Sequence, residues 1–198
     1  MSKPVLYLFN GKIGRVGNVL LSKQETPQPP DYVQIGDQIW KNSNLAFDDG
    51  GEGIFISNGN YFYSVAALNR INASLQGTGW HVPSKDEFIT LGCYISGSSD
   101  RTKTTYKGAN TLKSTTGWNG GHNGTNSTGF NAIPIGFCEK WNTISLYGET
   151  KDAKFWSSTA GGGGSVWNLG LEEDDYASTS QVGWPDQAYY SIRLIKDS

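Results

Sequence analysis

Helical spacing of apolar residues is confined to two segments in the first half of the chain. In residues 63–75 the apolar positions recur every three or four residues, which predicts an amphipathic helix. A second helix is predicted to begin after Ser84, a preferred N-cap residue with Glu87 three positions later, and to end near residues 92–95. The rest of the chain is expected to consist of strands and loops.

Strand signals surround these helices. Residues 32–40 alternate apolar and polar positions around Gly36-Asp37, which predicts a hairpin. Residues 96–129 are rich in Ser, Thr, Gly and Asn and predict a long loop region, and three further strands are predicted at 154–159, 166–171 and 189–195. Two early helices followed by late strands indicate an α+β fold with a loop-rich half.

The first thirty residues differ from the remainder. Residues 24–31 contain three of the seven prolines, which favours an extended, semi-rigid linker. Before it lie two short apolar segments, residues 5–9 and 17–21, separated by Asn10-Gly11. Two such strands cannot bury enough surface alone. We therefore divide the chain into an attachment peptide with linker, residues 1–30, and a domain, residues 31–198; the alternative is an extra edge hairpin.

Charge and length exclude several classes of protein. Sixteen basic and eighteen acidic residues give a formal charge of −2, so nucleic acid and anionic membrane surfaces are not expected partners. No apolar run is long enough to span a bilayer, and the run at residues 5–9 is too short for a secretory signal. With no export signal, Cys93 and Cys138 are expected to be free thiols rather than a disulfide.

Catalytic motifs are not recognised. Residues 11–17 are glycine-rich but have the wrong spacing for a dinucleotide or phosphate loop, and are interpreted as a turn. Residues 161–164 are four glycines between predicted strands and indicate a mobile hairpin loop. His81, beside Trp80, favours a structural hydrogen bond over catalysis.

The segment between Ser157 and Tyr190 has the composition of a binding surface, since its aromatic residues are interspersed with small polar ones. Trp167 and Tyr190 are assigned to the core, whereas Trp184, in a turn-like setting before Pro185, is expected to be exposed. The acidic run of residues 172–175 is interpreted as a solvated loop tip; a calcium site is the alternative.

Six segments, in this order, match the motifs of one family. They are residues 33–40 with Asn44-Leu45, Gly79-Trp80-His81-Val82-Pro83-Ser84 with Glu87-Phe88, and residues 112–118, 129–134, 155–159 and 191–197. Together they resemble the Fibrobacter major paralogous (FISUMP) domains. The resemblance covers residues 32–198 and leaves the first thirty residues outside.

The resemblance implies a C-type-lectin-like fold in which the first and last strands pair, residues 33–35 with 192–194, and a loop-rich half binds the ligand. It is similar to the formylglycine-generating enzyme branch and to the variable proteins of diversity-generating retroelements. In those variable proteins the segment between the Trp-Ser-Ser-Thr motif and the last strand contacts the ligand. Carried over, this marks nine positions as exposed, ligand-binding candidates: Asn168, Gly170, Glu172, Asp174, Tyr176, Gln181, Trp184, Asp186 and Gln187.

Two places where family members often carry cysteines hold other residues here, around residues 76–78 and at Leu194. This favours folding in a reducing cytoplasm. The leading hypothesis is a non-enzymatic accessory protein on a bacteriophage tail or head fibre, made in the host cytoplasm and displayed on the virion surface. It would bind other virion proteins through residues 1–30 and a bacterial surface glycan or protein through the domain. No cofactor is expected, although a calcium ion is possible, and the protein could form a homo-oligomer.

Three alternatives stay open. The first is a bacterial cell-surface adhesin, and the second is a structural decoration protein without a ligand. The third is a relative of the formylglycine-generating enzyme, which needs redox-active or metal-binding cysteines. No local sequence around Cys93 or Cys138 presents such a reactive pair.

Overall fold

The computed structural model describes residues 5–9, 12–16 and 30–197. The chain divides into two compact units, residues 1–30 and 31–198. In the first unit, strands β1 (Val5–Phe9) and β2 (Lys12–Val16) pair antiparallel. The prediction of a turn over residues 11–17 is therefore wrong for Lys12–Val16, because a two-stranded ladder needs only backbone groups and tolerates Gly14. The predicted segment 17–21 lies outside the described residues.

The second unit is α+β, as predicted, with two α-helices and several antiparallel sheets. Its strands are β3 (Tyr32–Ile35), β4 (Gln38–Lys41), β5 (Ile54–Ser57), β6 (Asn60–Tyr63), β7 (Trp80–His81), β8 (Thr105–Lys107), β9 (Phe137–Lys140), β10 (Ile144–Tyr147), β11 (Ala153–Ala160), β12 (Val166–Leu171), β13 (Tyr176–Val182), β14 (Ala188–Tyr189) and β15 (Ile195–Lys196). Helix α1 spans Val65–Ser74 and α2 spans Lys85–Ser96. The strand orders of the sheets are β3-β4-β15-β7, β5-β6, β10-β9-β14 and β11-β12-β13-β8.

Both predicted helices are confirmed, including the cap of the second. The Ser84 hydroxyl accepts a hydrogen bond from the Glu87 backbone, and the Glu87 carboxylate accepts one from the Ser84 backbone at 2.7 Å, which forms a capping box. Helix α2 ends at Gly97, whose φ of 65° lies in the left-handed region that favours glycine. None of the helices in the described residues is long and apolar enough to cross a membrane.

The start and end of the domain share one sheet, but the pairing differs from the prediction. The last strand pairs with β4, with Ile195 opposite Trp40, and not with residues 33–35. Trp40 is fully buried and stacks on Phe88 at 5.8 Å between ring centroids. The second strand of the hairpin therefore lies inside the sheet, and β3 forms its edge.

The late strands are confirmed in part. Strands β11 and β12 match the predictions at 154–159 and 166–171, but residues 189–195 form only the short pieces β14 and β15. Between these pieces Tyr190 forms an isolated β-bridge with Tyr63 and Ser191 forms one with Phe155. The backbone therefore pairs with two different sheets in turn and forms no continuous strand. The predicted loop region 96–129 contains β8 and two short 3-10 turns.

Aromatic side chains form much of the core. Trp156 is fully buried, donates a hydrogen bond from Nε1 to the Tyr63 carbonyl at 2.6 Å and stacks on Tyr190 at 4.4 Å. The half-buried Tyr190 therefore packs against the core as predicted. Trp167 does not belong to the core: it is half-buried on β12, with the Lys85 ammonium 4.2 Å above its ring.

Candidate binding site

The structure separates the nine predicted ligand-binding residues into three places. Asn168 and Gly170 lie in β12, which is hydrogen-bonded to β11 along one edge and to β13 along the other. Asn168 is 4% exposed, and its side-chain amide donates to the Ser180 carbonyl at 2.9 Å. A Cβ at Gly170 would meet Lys154 Nζ and Ser178 Oγ at 3.3 Å. The prediction that these two residues are exposed is wrong, because side chains of the neighbouring strands cover this face of β12.

The second group lies at the turn between β12 and β13. Glu172, Asp174 and Tyr176 line a shallow pocket of about 260 Å³ together with Thr105 and Ser178. Both carboxylates are exposed, as predicted for a solvated loop tip. In the part of the chain that the structure describes, no three His, Cys, Asp or Glu side chains are grouped so that they could hold a metal ion.

The third group begins at the opposite end of β13. The Gln181 side-chain oxygen accepts hydrogen bonds from Ser165 Oγ at 2.5 Å and from the Gly162 backbone at 3.2 Å. Gln181 therefore fixes the glycine turn of residues 161–164, which connects β11 to β12. Its amide oxygen is already occupied, so its contact with the turn is structural.

Trp184 has the most exposed ring among the large hydrophobic side chains described, at 70%. It lies in a turn closed by a hydrogen bond of 3.1 Å from the Gln187 backbone to the Trp184 carbonyl. The exposure predicted from its sequence setting is confirmed. Asp186 and Gln187, in the same turn, are exposed and half-buried, respectively.

Trp141 is a second exposed ring that the sequence did not single out, at 62% exposure. Its indole Nε1 donates to the Glu139 carboxylate at 3.1 Å. The preceding residue, Lys140, donates from its backbone to the Gln187 carbonyl at 2.7 Å, so Trp141 and Trp184 lie at the same end of the β9–β14 ladder. We call Trp141 and Trp184 the tryptophan pair.

A cleft of about 620 Å³ opens beside this end of the sheet. It is lined by residues that neighbour each tryptophan in sequence, Lys140 and Asp186, and by Ser64, Arg70 and Tyr189. Arg70 and Ser64 come from α1 and its cap, far from β14 in sequence, so no local pattern places them at one site. The cleft therefore combines groups from three parts of the chain.

The charged side chains that line the cleft differ in whether they already have a partner. Arg70 is fixed by two hydrogen bonds to the Asp49 carboxylate, 3.0 and 3.1 Å, and by one to the Glu52 carbonyl. The Arg70 guanidinium lowers the pKa of Asp49 below its ordinary value. Within residues 30–197, by contrast, the Lys140 ammonium and the Asp186 carboxylate have no hydrogen-bond or ion-pair partner. These two groups are available to a ligand.

His81 and the two cysteines lie outside the cleft. His81 places Nδ1 at 2.6 Å from the Asp197 carboxylate and Nε2 at 2.9 Å from the Glu87 carboxylate, so the predicted hydrogen bonding of this side chain is confirmed. Cys93 and Cys138 are both free. Burial raises the pKa of Cys138 to about 12, so this thiol stays protonated at neutral pH.

No curated protein and no solved structure matches the chain. The model of one family, described as the Fibrobacter succinogenes major domain, matches residues 33–196. This span includes both helices and every strand from β4 to β15. The protein is therefore a member of the Fibrobacter succinogenes major domain family, the family whose motifs its sequence resembles.

Proposed function

We propose that the protein is a non-enzymatic binding protein with a C-type-lectin-like fold, and that it contacts a bacterial surface glycan through the tryptophan pair and the adjacent cleft. One observation carries the proposal: the two most exposed large hydrophobic side chains described, Trp184 and Trp141, lie at the same end of one sheet. The pairing of β4 with β15, which joins the start and end of the domain, supports the fold assignment.

The chemistry of the surface suits a saccharide. Indole rings offer flat apolar faces with little conformational freedom to lose, and such rings dominate the binding energy of many interfaces. The cleft, at about 620 Å³, has the size of typical ligand pockets, which is about 300–1,000 Å³. Lys140 donates hydrogen bonds and Asp186 accepts them, so both can bind sugar hydroxyl groups.

A display site on a bacteriophage particle belongs to the same proposal, with residues 1–30 as the segment that binds other virion proteins. Two features support it: the separation of residues 1–30 into a unit of their own, and two cysteines that are both free, as in proteins that fold in reducing cytoplasm. Detection of the protein on bacterial envelopes, and not in purified particles, would contradict this location. The protein would then be an adhesin of the bacterial cell surface.

The binding proposal is tested by presenting the full chain to purified envelope polysaccharides of candidate host bacteria and to an array of bacterial glycans. Trp141→Ala and Trp184→Ala are compared with Tyr94→Ala, a matched control because Tyr94 is 56% exposed but lies on α2, outside the cleft. We expect both tryptophan variants to lose glycan binding and the control to retain it. Equal binding by all four proteins would contradict this site.

A further inference from the structure

Lys113 is a completely buried lysine, with an exposed fraction of 0%. Its ammonium donates three hydrogen bonds, all to consecutive backbone carbonyls of the β12–β13 turn: Glu172 at 3.0 Å, Glu173 at 3.2 Å and Asp174 at 3.0 Å. An ammonium has three donors, so all of its hydrogen-bonding capacity is used by this turn. The same Nζ atom lies 4.3 Å from the ring centroid of Trp118, within the range of a cation–π contact.

The carboxylates of this acidic turn bind other groups and not the lysine ammonium. Glu172 binds the Lys154 ammonium at 2.6 Å, Asp174 accepts from the Tyr176 backbone at 3.1 Å, and Asp175 accepts from the Asn110 backbone at 2.8 Å. The positive charge is therefore held by carbonyl dipoles and an aromatic face. Desolvation lowers the pKa of Lys113, while the nearby carboxylates act in the opposite direction.

The turn is fixed to the segment that carries the lysine. The backbones of Gly108 and Ala109 donate to the Asp175 carbonyl at 2.9 and 3.3 Å, so the residues just before Lys113 are hydrogen-bonded directly to the turn. On the other side, Gly124 lies so close that a Cβ there would be 2.5 Å from Cβ of Lys113. Three segments of the chain therefore pack around Lys113, and one of them, residues 172–174, supplies the acceptors for its ammonium.

We propose that the acidic turn is a monovalent-cation site whose cation is the tethered ammonium of Lys113, and that Lys113 thereby positions Glu172, Asp174 and Tyr176 around their pocket. Calcium takes about six to eight oxygen ligands, whereas three carbonyls and a π face match the three donors of an ammonium. When the lysine side chain is removed, the three carbonyls of residues 172–174 should therefore bind a free primary ammonium ion. This inference is independent of glycan binding at the tryptophan pair.

The test uses the full chain and amide hydrogen exchange. In Lys113→Ala, we expect the Gly108 and Ala109 amides, which bond to Asp175, to exchange at least about tenfold faster, since the loss of charge-assisted hydrogen bonds frees the turn. The Phe88 amide, at the first turn of α2, is the internal control and should not change. n-Propylammonium replaces the deleted side-chain atoms and should restore protection. Propan-1-ol and tetramethylammonium, which lack either the charge or the N–H donors, should not.

Lys113→Met keeps the proposal testable should Lys113→Ala not fold, because it retains most of the side-chain volume and removes the charge and the three N–H donors. We expect Lys113→Met to lose protection at Gly108 and Ala109, with no recovery in n-propylammonium, since the thioether chain fills the space that the added amine would need. Addition of calcium or a chelator to the unsubstituted protein should leave these amides unchanged. Protection in Lys113→Met equal to that of the unsubstituted protein, or protection that calcium increases, would overturn the proposal.

Discussion

The backbone N–H of Lys140 donates to the carbonyl oxygen of Gln187 at 2.7 Å, and this bond joins the two chain segments that carry the exposed tryptophans. Trp141 follows Lys140 directly, and the Trp184 carbonyl accepts from the Gln187 backbone at 3.1 Å. The backbone segments that carry both rings are therefore held by hydrogen bonds on a sheet and its adjoining turn. Aromatic side chains on a fixed backbone, with two rotatable bonds each, lose little conformational entropy when a ligand binds.

Deletion of residues 1–30 is expected to leave the stability of the domain nearly unchanged, because these residues form a separate compact unit. The melting temperature should shift by less than about 2 °C, the shift that corresponds to less than about 1 kcal/mol in a domain of this size. Under the proposed display on a bacteriophage particle, incorporation of the truncated chain into that particle should be lost. A large drop in melting temperature would show that the peptide belongs to the fold of the domain.

Trp156→Phe is expected to destabilise the protein by about 2–4 kcal/mol, because it leaves a cavity and removes the hydrogen bond to the Tyr63 carbonyl. Urea unfolding followed by circular dichroism measures this loss. Trp184→Phe is the matched control: its ring is 70% exposed, so the free energy of unfolding should change by less than about 0.5 kcal/mol. Equal losses in the two variants would contradict the assignment of Trp156 to the core.

Thiol chemistry is expected to distinguish the two free cysteines. The half-buried Cys93 should react with iodoacetamide in the native protein at pH 8. Cys138 should react only after unfolding, because it is buried and its pKa is raised to about 12. Titration of the denatured, unreduced protein should count two thiols; a count of zero would reveal a disulfide.

The Asp49–Arg70 pair at the wall of the cleft is expected to persist in mild acid. The pKa of Asp49 is lowered from its ordinary value of 3.8, so its contribution to stability is complete above 3.8 and is lost only as the pH falls through the lowered value. An NMR titration of the Asp49 carboxyl carbon measures this midpoint. In Asp49→Asn, the free energy of unfolding should no longer fall with the protonation of this residue at low pH. A titration midpoint of Asp49 above 3.8 would contradict the ion pair.

Local signals in the sequence were sufficient for the elements whose cause is local. The capping box of Ser84 and Glu87 fixes the start of α2, and the hairpin turn at Gly36 has the positive φ of 60° that glycine permits. Strand β13, in contrast, was not predicted, because its run of Ser and Thr lacks apolar alternation and its pairing with β12 and β8 determines its conformation.

The candidate site could be predicted only where exposure follows from the immediate neighbours, as for Trp184 beside Pro185. Lys140 on β9 and Arg70 on α1 line the same cleft although they are distant in sequence, and no spacing in the sequence encodes this. Lys113 is the clearest failure of local reasoning. It lies in a segment rich in Ser, Thr, Gly and Asn that predicts a long loop region, yet the acceptors that permit its burial come from residues 172–174.

The most direct test of the binding surface is isothermal titration of the full chain with a glycan that it captures from host envelopes, compared with Trp184→Ala. A single aromatic anchor commonly contributes about 2 kcal/mol or more, and about 1.4 kcal/mol corresponds to one decade in Kd. We expect Trp184→Ala to raise Kd at least tenfold while the melting temperature stays within about 2 °C, because the ring is 70% exposed. An unchanged Kd in a folded Trp184→Ala variant would contradict the proposed surface.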